Sequence, residues 1–155
     1  MSINISKLRK EGEPLKLLIA GSRDLITTDK LLIEYIFRFY KKELHPAAKW
    51  LEIVQGEARG IDSCARDFAR RYRLTGHSFP ANWDLYGKSA GYKRNAQMGA
   101  FAHELLLIWD GKSRGSASMK AIMQKLHKPI HEVIITKDVF DGDWFAEWEK
   151  AESGG

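Results

Sequence analysis

Four short segments combine glycine, a hydroxyl or carboxylate and a cation at spacings suited to holding phosphate. The first is Gly21-Ser22-Arg23-Asp24. Gly21 permits a tight turn, Ser22 offers a hydroxyl and Arg23 a guanidinium fork. In the second, Gly56 and Gly60 flank Arg59 at the entry to a helical pattern. Glycine lets backbone approach a ligand, and a helix N-terminus presents free N–H groups and a positive dipole end. Glu57 would accept from ribose hydroxyls or face solvent as a turn residue. Asp62 would serve the ligand or cap the helix. The third segment runs from 81 to 95. Trp83, Tyr86 and Tyr92 offer faces for a base, and Asp84 a carboxylate for sugar hydroxyls. Lys93, Arg94 and Asn95 stand at a predicted helix start, where cations oppose the dipole unless an anion binds. The fourth holds Asp110, Gly111, Lys112, Arg114, Gly115 and Ser116. The N–H groups of Gly115 and Ser116, with the Ser116 hydroxyl, suit an anion nest.

Catalytic patterns are sparse. Glu57 and Asp84 are the candidate acid–base or nucleophilic carboxylates. There is no Ser/His/Asp order, no paired-carboxylate motif and no metal-ligand spacing among the five histidines. Pro129 separates His127 from His131, and Cys64 is the single cysteine, which excludes an internal disulfide. Cys64 reads as buried and inert.

The elements that must position these segments alternate in type. Apolar runs at 15–20, 50–54, 75–79, 104–109 and 133–136 read as strands. Between them, apolar residues recur at helical spacing over about 29–43, 61–72, 92–102 and 119–126. The expectation is an α/β fold, a Rossmann-like three-layer sandwich with a mainly parallel five-stranded sheet. Such sheets bind ligands at the carboxyl ends of their strands, near a switch point. All four segments leave strands, so all four are expected on one edge. On the helix after the second strand, Asp67 and Arg71 form an i, i+4 pair in a solvated arginine-rich face.

Composition bounds the rest. The chain has 155 residues and a net charge of +5. Residues 1–137 hold 24 Lys+Arg against 14 Asp+Glu, whereas 138–155 hold one Lys and six acids. The body is therefore +10 and the tail −5. No apolar run approaches the ~20 residues of a membrane span, and residues 1–10 lack the apolar core of a signal peptide. A cytoplasmic protein is expected. Residues 1–14 read as a flexible arm and 15–150 as one domain. Its last helix carries Phe140, Trp144, Phe145 and Trp148 among acids.

The sequences GSRD, QGEARGIDSCARDFA and ANWDLYGKSAGYKRNAQM resemble the SLOG superfamily, most closely its YspA/YpsA-related branch of bacteria and phages. The matching stretches are 21–23, 56–62, 83–98 and 111–116, together spanning about residues 15–135. The resemblance implies a Rossmann-like domain for nucleotides or nucleotide-derived signals of NAD or ADP-ribose type. It also implies kinship with cytokinin-activating phosphoribohydrolases and with the single-stranded-DNA-binding DNA-processing protein A family. The phosphoribohydrolases carry PGGxGTxxE. Here Met119 stands where the catalytic Glu would be, which points away from that cleavage, and Gln55 replaces the first glycine of GGARG.

The leading expectation is a small-molecule nucleotide ligand, with no metal and no named cofactor. The alternatives are an enzyme acting at an N-glycosidic or phosphate bond, and single-stranded nucleic-acid binding. Self-association is expected, since relatives commonly pair.

Overall fold

The computed structural model describes residues 9–135. Five strands, β1 (Leu15–Gly21), β2 (Leu51–Gln55), β3 (Thr75–Ser78), β4 (Glu104–Trp109) and β5 (Ile130–Ile134), form one sheet. Its order is β3-β2-β1-β4-β5 and every pairing is parallel. The expected mainly parallel sheet is thus wholly parallel.

Period-2 alternation sends each strand's side chains to two cores. Leu15, Leu17, Ile19, Leu51 and Ile53 face α1 (Asp29–Tyr40) and α2 (Ile61–Arg71). Leu18, Ala20, Val54, Leu105 and Leu107 face α4 (Ala90–Phe101) and α5 (Arg114–Lys125). The crossovers therefore change face after β3. Chain order reverses between β1 and β4, and a crevice opens at their carboxyl ends.

Local chemistry fixes the boundaries. The Thr28 hydroxyl accepts from Leu31 N and starts α1, which ends at Tyr40 rather than near 43 because Lys41 turns left-handed. The stretch 80–89, expected as an open loop, folds into a short helix α3 (Trp83–Tyr86) and a 3-10 turn (Gly87–Ser89). Asn82 caps α3 by accepting from Leu85 N at 3.0 Å. The next helix begins at Ala90, two residues early. β5 starts at Ile130, three residues early, because the Pro129 carbonyl already accepts from Leu105 N.

Further expectations are corrected by side-chain partners. Arg71 pairs through two nitrogens with Asp29 of α1, at 2.8 and 2.9 Å, in place of Asp67. Cys64 is half-buried, and its Sγ accepts from Thr27 N. Part of the N-terminal arm is docked: Glu13 accepts from Lys10 N and lies 3.4 Å from His103 Nε2. No helix among the described residues is long and apolar enough to cross a membrane. The aromatic C-terminal helix expected at 138–150 lies outside the described residues.

Candidate functional site

Two cavities open at the carboxyl edge of the sheet. The inner one, about 400 Å³, lies between the exits of β1 and β4. Ser22, Arg23, Asp62, Arg94, Arg114 and Ser116 are among its walls. The outer one, about 500 Å³, is bounded by the β2 exit, Pro80, Ala81 and Trp83. Arg23, Ala58, Arg59 and Arg94 belong to both. The four strand-exit segments thus meet as the βα pattern requires.

Ser22 ties the crevice together. Its carbonyl accepts from Leu25 N and from Ile61 N, the first residue of α2. Its hydroxyl accepts from Asp110 N at 3.1 Å and lies 3.3 Å from the Ser113 hydroxyl. Three exits are joined through one small side chain. Gly21 acts by close approach rather than by turning. A Cβ there would fall 1.8 Å from the Ile108 carbonyl oxygen of β4. Gly60 adopts φ +77°, and a Cβ would fall 2.4 Å from Ser22 O. Gly60 is the N-cap of α2 and lines neither cavity.

Asp62 and Arg94 form the electrostatic centre. Both are over nine-tenths buried. The Arg94 guanidinium donates to the Gly56 carbonyl and, through Nε, to Asn95 Oδ1 at 2.9 Å. Asp62 accepts from Gly56 N at 3.1 Å. A Cβ at Gly56 would lie 2.8 Å from Arg94 Nη1 and 2.9 Å from Asp62 Oδ2, so only glycine lets the loop sit between the two. Burial pushes the Asp62 carboxyl up to about 6, against the pull of Arg94 and of the N–H groups of Ala58 and Gly56. Burial likewise lowers the pKa of Arg94, partly offset by Asp62. Arg94 is not at a helix start. It lies more than a turn inside α4 and is already matched by a carboxylate and a carbonyl, so no anion is needed to explain it. Asp62 is not the α2 cap, since its carboxylate folds back onto the preceding loop.

The other cavity carboxylates differ in freedom. Asp110 accepts from Lys112 N and Ser113 N, bonds that hold its pKa below the usual carboxylate range. Asp24 lies 3.9 Å from the exposed Arg59. Glu57 holds a left-handed backbone, φ +58°, that favours glycine. Its N–H donates to the Gln55 side chain, which also donates to Ser78 Oγ at 2.6 Å. Gln55, where the resemblance has glycine, is a buried clamp between β2 and β3.

Ser116 is an orphan. Its hydroxyl is buried and has no hydrogen-bond partner. It lies in the first turn of α5, whose N-cap, Ser113, makes no side-chain cap bond. Asn95 reaches the same turn through Gly115 O, at 3.4 Å.

Of the residues singled out in the sequence, Gly21, Ser22, Arg23, Arg59, Asp62, Arg94, Asn95, Asp110, Arg114, Gly115 and Ser116 line the inner cavity. Gly56, Glu57 and Trp83 line the outer one. Asp84, Lys93 and Gly111 line neither. Lys93 instead lies over the Tyr86 ring, 4.8 Å from its centroid. Helix geometry explains this, since residues 93 and 94 point about 100° apart and only one can face inward. Ser113, Met98 and Met119 are wall residues not singled out. Ser113 was legible as the residue before a helical pattern, whereas the methionines look like any core stripe. Among the described residues no cluster of three or more potential metal ligands occurs.

No family model matches the chain. Gene 61 protein of Mycobacterium phage D29 is 30% identical over 121 residues, covering 74% of this chain and 93% of that protein. The fold is similar to that of DNA processing protein A from Streptococcus pneumoniae, with a TM-score of 0.60 and 15% identity, over 88% of this chain. This chain spans 56% of that protein, little more than half its length. It is equally similar to DNA processing protein A from Helicobacter pylori, a protein that binds single-stranded DNA. There the TM-score is 0.60 and the identity 20%, over 95% of this chain and 77% of that one. The chain has a DNA-processing-protein-A-like Rossmann fold, and it belongs to the family of the phage D29 Gene 61 protein.

Proposed function

We propose that the strand-exit edge binds single-stranded nucleic acid. Phosphates would sit at the guanidinium seam of Arg23 and Arg59, and a base against Trp83. The observation that carries this reading is the seam itself. Two cavities share Arg23, Arg59 and Arg94, and the outer one ends at Trp83, whose surface is 52% exposed. Exposed Tyr86 and Tyr92 continue this aromatic surface along the chain. A cationic groove with aromatic platforms is the general solution for single strands. The +10 body supplies the long-range attraction. Likeness of fold to a single-stranded-DNA-binding protein supports it.

A second reading, a free nucleotide, is favoured by the bounded cavities, whose sizes fall in the small-ligand range. Catalysis has weaker support. Asp84 is outside both cavities, Asp62 and Asp110 are committed to backbone N–H groups, and Glu57 alone remains of the proposed carboxylates. The motif pattern supports placement in the YspA/YpsA-related branch, and a nucleic-acid or nucleotide ligand implies work in the cytoplasm.

Fluorescence anisotropy with a labelled oligothymidylate tests the proposal. Affinity should fall steeply with salt, and Trp83→Ala should cost ~1–3 kcal/mol of binding. Absence of binding at low salt, or binding indifferent to both salt and Trp83, would refute it. Thermal stabilisation by nucleotides without oligonucleotide binding would favour the second reading.

A further inference from the structure

The two cavities differ in what they can admit. The outer one is open along its rim at Pro80, Ala81 and Trp83. The inner one ends on Ala20, Met98 and Met119, which belong to the core between the sheet and the helices α4 and α5. An internal phosphodiester needs two ways out, one for each neighbouring sugar. A cul-de-sac provides one.

The groups at its blind end suit a compact anion. The N–H groups of the first turn of the twelve-residue α5 have no partner within the helix. The Ser116 hydroxyl is buried, lacks any partner and stands in the cavity wall. The hydroxyls of Ser22 and Ser113 face each other beside it. A Cβ built on Gly115 would meet nothing within 4 Å, so the space over this turn is open. Arg94 and Arg114 add positive charge. Asp62 and Asp110 oppose it, but both direct oxygens at backbone N–H groups.

We propose that the inner cavity is a receptor for a terminal phosphate monoester: the phosphorylated end of a strand or the phosphate of a free mononucleotide. This rests on the nucleotide reading above and adds end recognition to it. A dianion with one ester link fits a single-entrance pocket. The phosphate would accept from the α5 first turn and from Ser116, giving that hydroxyl the partner it lacks. The chain or nucleoside would then leave past Arg23 and Arg59 towards Trp83.

The test compares oligonucleotides identical except for a 5′-phosphate, a 3′-phosphate or hydroxyl ends, read by anisotropy. Thermal shift with a nucleoside 5′-monophosphate and its nucleoside forms a parallel arm. In the native chain one phosphorylated end should bind about tenfold more tightly than the hydroxyl end, the worth of one good charge-assisted bond. Ser116→Ala and Gly115→Val should bring that ratio towards one. Gly115→Val enters open space, so circular dichroism and melting should show it folded. Equal binding of phosphorylated and hydroxyl ends by the native chain overturns the inference, even if strands bind well. A preference undiminished in both folded variants also overturns it. If no oligonucleotide binds, the strand reading fails by itself. The inference then stands if the monophosphate, and not the nucleoside, raises the melting temperature in a Ser116-dependent way, and falls if neither does.

Discussion

Replacing Arg94 by Met would expose how the buried pair works, because its cost must depend on pH. Asp62 sits in the folded chain with its carboxyl pushed up to about 6, mainly by burial. Against an unfolded value of ~3.9, that burial costs about 3 kcal/mol at pH 7. Removing Arg94 takes away the opposing guanidinium and raises Asp62 further. The loss has a ceiling, because Asp62 can instead take up a proton. Protonating it at pH 7 costs about 4 kcal/mol relative to the unfolded chain. The added electrostatic loss is therefore at most about 1 kcal/mol at pH 7 and about 3 kcal/mol at pH 8. Near pH 5 Asp62 is protonated in both proteins and the added loss vanishes. The direction follows from a folded pKa above the unfolded one. Stability from this group is complete at acid pH and is lost as pH rises, through about 6 in the native chain and beyond in the variant. Loss of the bonds to the Gly56 carbonyl and Asn95 adds ~1–3 kcal/mol at every pH. Urea unfolding of both proteins at pH 5, 7 and 8 measures the difference. A gap that does not widen with pH refutes the pairing, as does an Asp62→Asn/Arg94→Met double variant whose gap widens equally.

Three further outcomes follow from the same geometry. Gly60→Ala should destabilise by ~3 kcal/mol or more, since φ is +77° and the new Cβ would press on Ser22 O, and thermal melting would register it. Lys128→Met should lower the urea midpoint by the equivalent of ~1–3 kcal/mol, because Lys128 Nζ donates to the carbonyls of Gly99, Ala100 and Ala102 at the end of α4. Removing residues 138–155 takes the net charge from +5 to +10. Association with single-stranded DNA should then quicken at low salt, the difference fading at about 1 M, where the Debye length is ~3 Å.

The comparison of strand-exit segments shows what a one-dimensional pattern carries. Alternating apolar runs and helical stripes are local signals, and they were sufficient for the βα order and for four loops on one edge. Boundaries drifted where a single residue decided them, as with left-handed Lys41 or the Pro129 carbonyl that extends β5. Charge pattern read Lys93 and Arg94 as equivalent. In the fold one covers Tyr86 and the other is buried against Gly56, because adjacent helical residues diverge by about 100°. Gln55 looked like a departure from a glycine motif, and its role needed Ser78, brought alongside by β2–β3 pairing.

The sequence by itself determined the element order, the +10 body against a −5 tail, and the presence of glycine, hydroxyl and cation at each strand exit. Those properties depend on residue type and near-neighbour spacing. Only the tertiary structure decided that β1 and β4 are neighbours, which opens the crevice where chain order reverses. It alone divided that crevice into an open outer cavity and a blind inner one, and left the Ser116 hydroxyl without a partner. Strand adjacency and burial are set by contacts between residues far apart in sequence, and no local pattern encodes them.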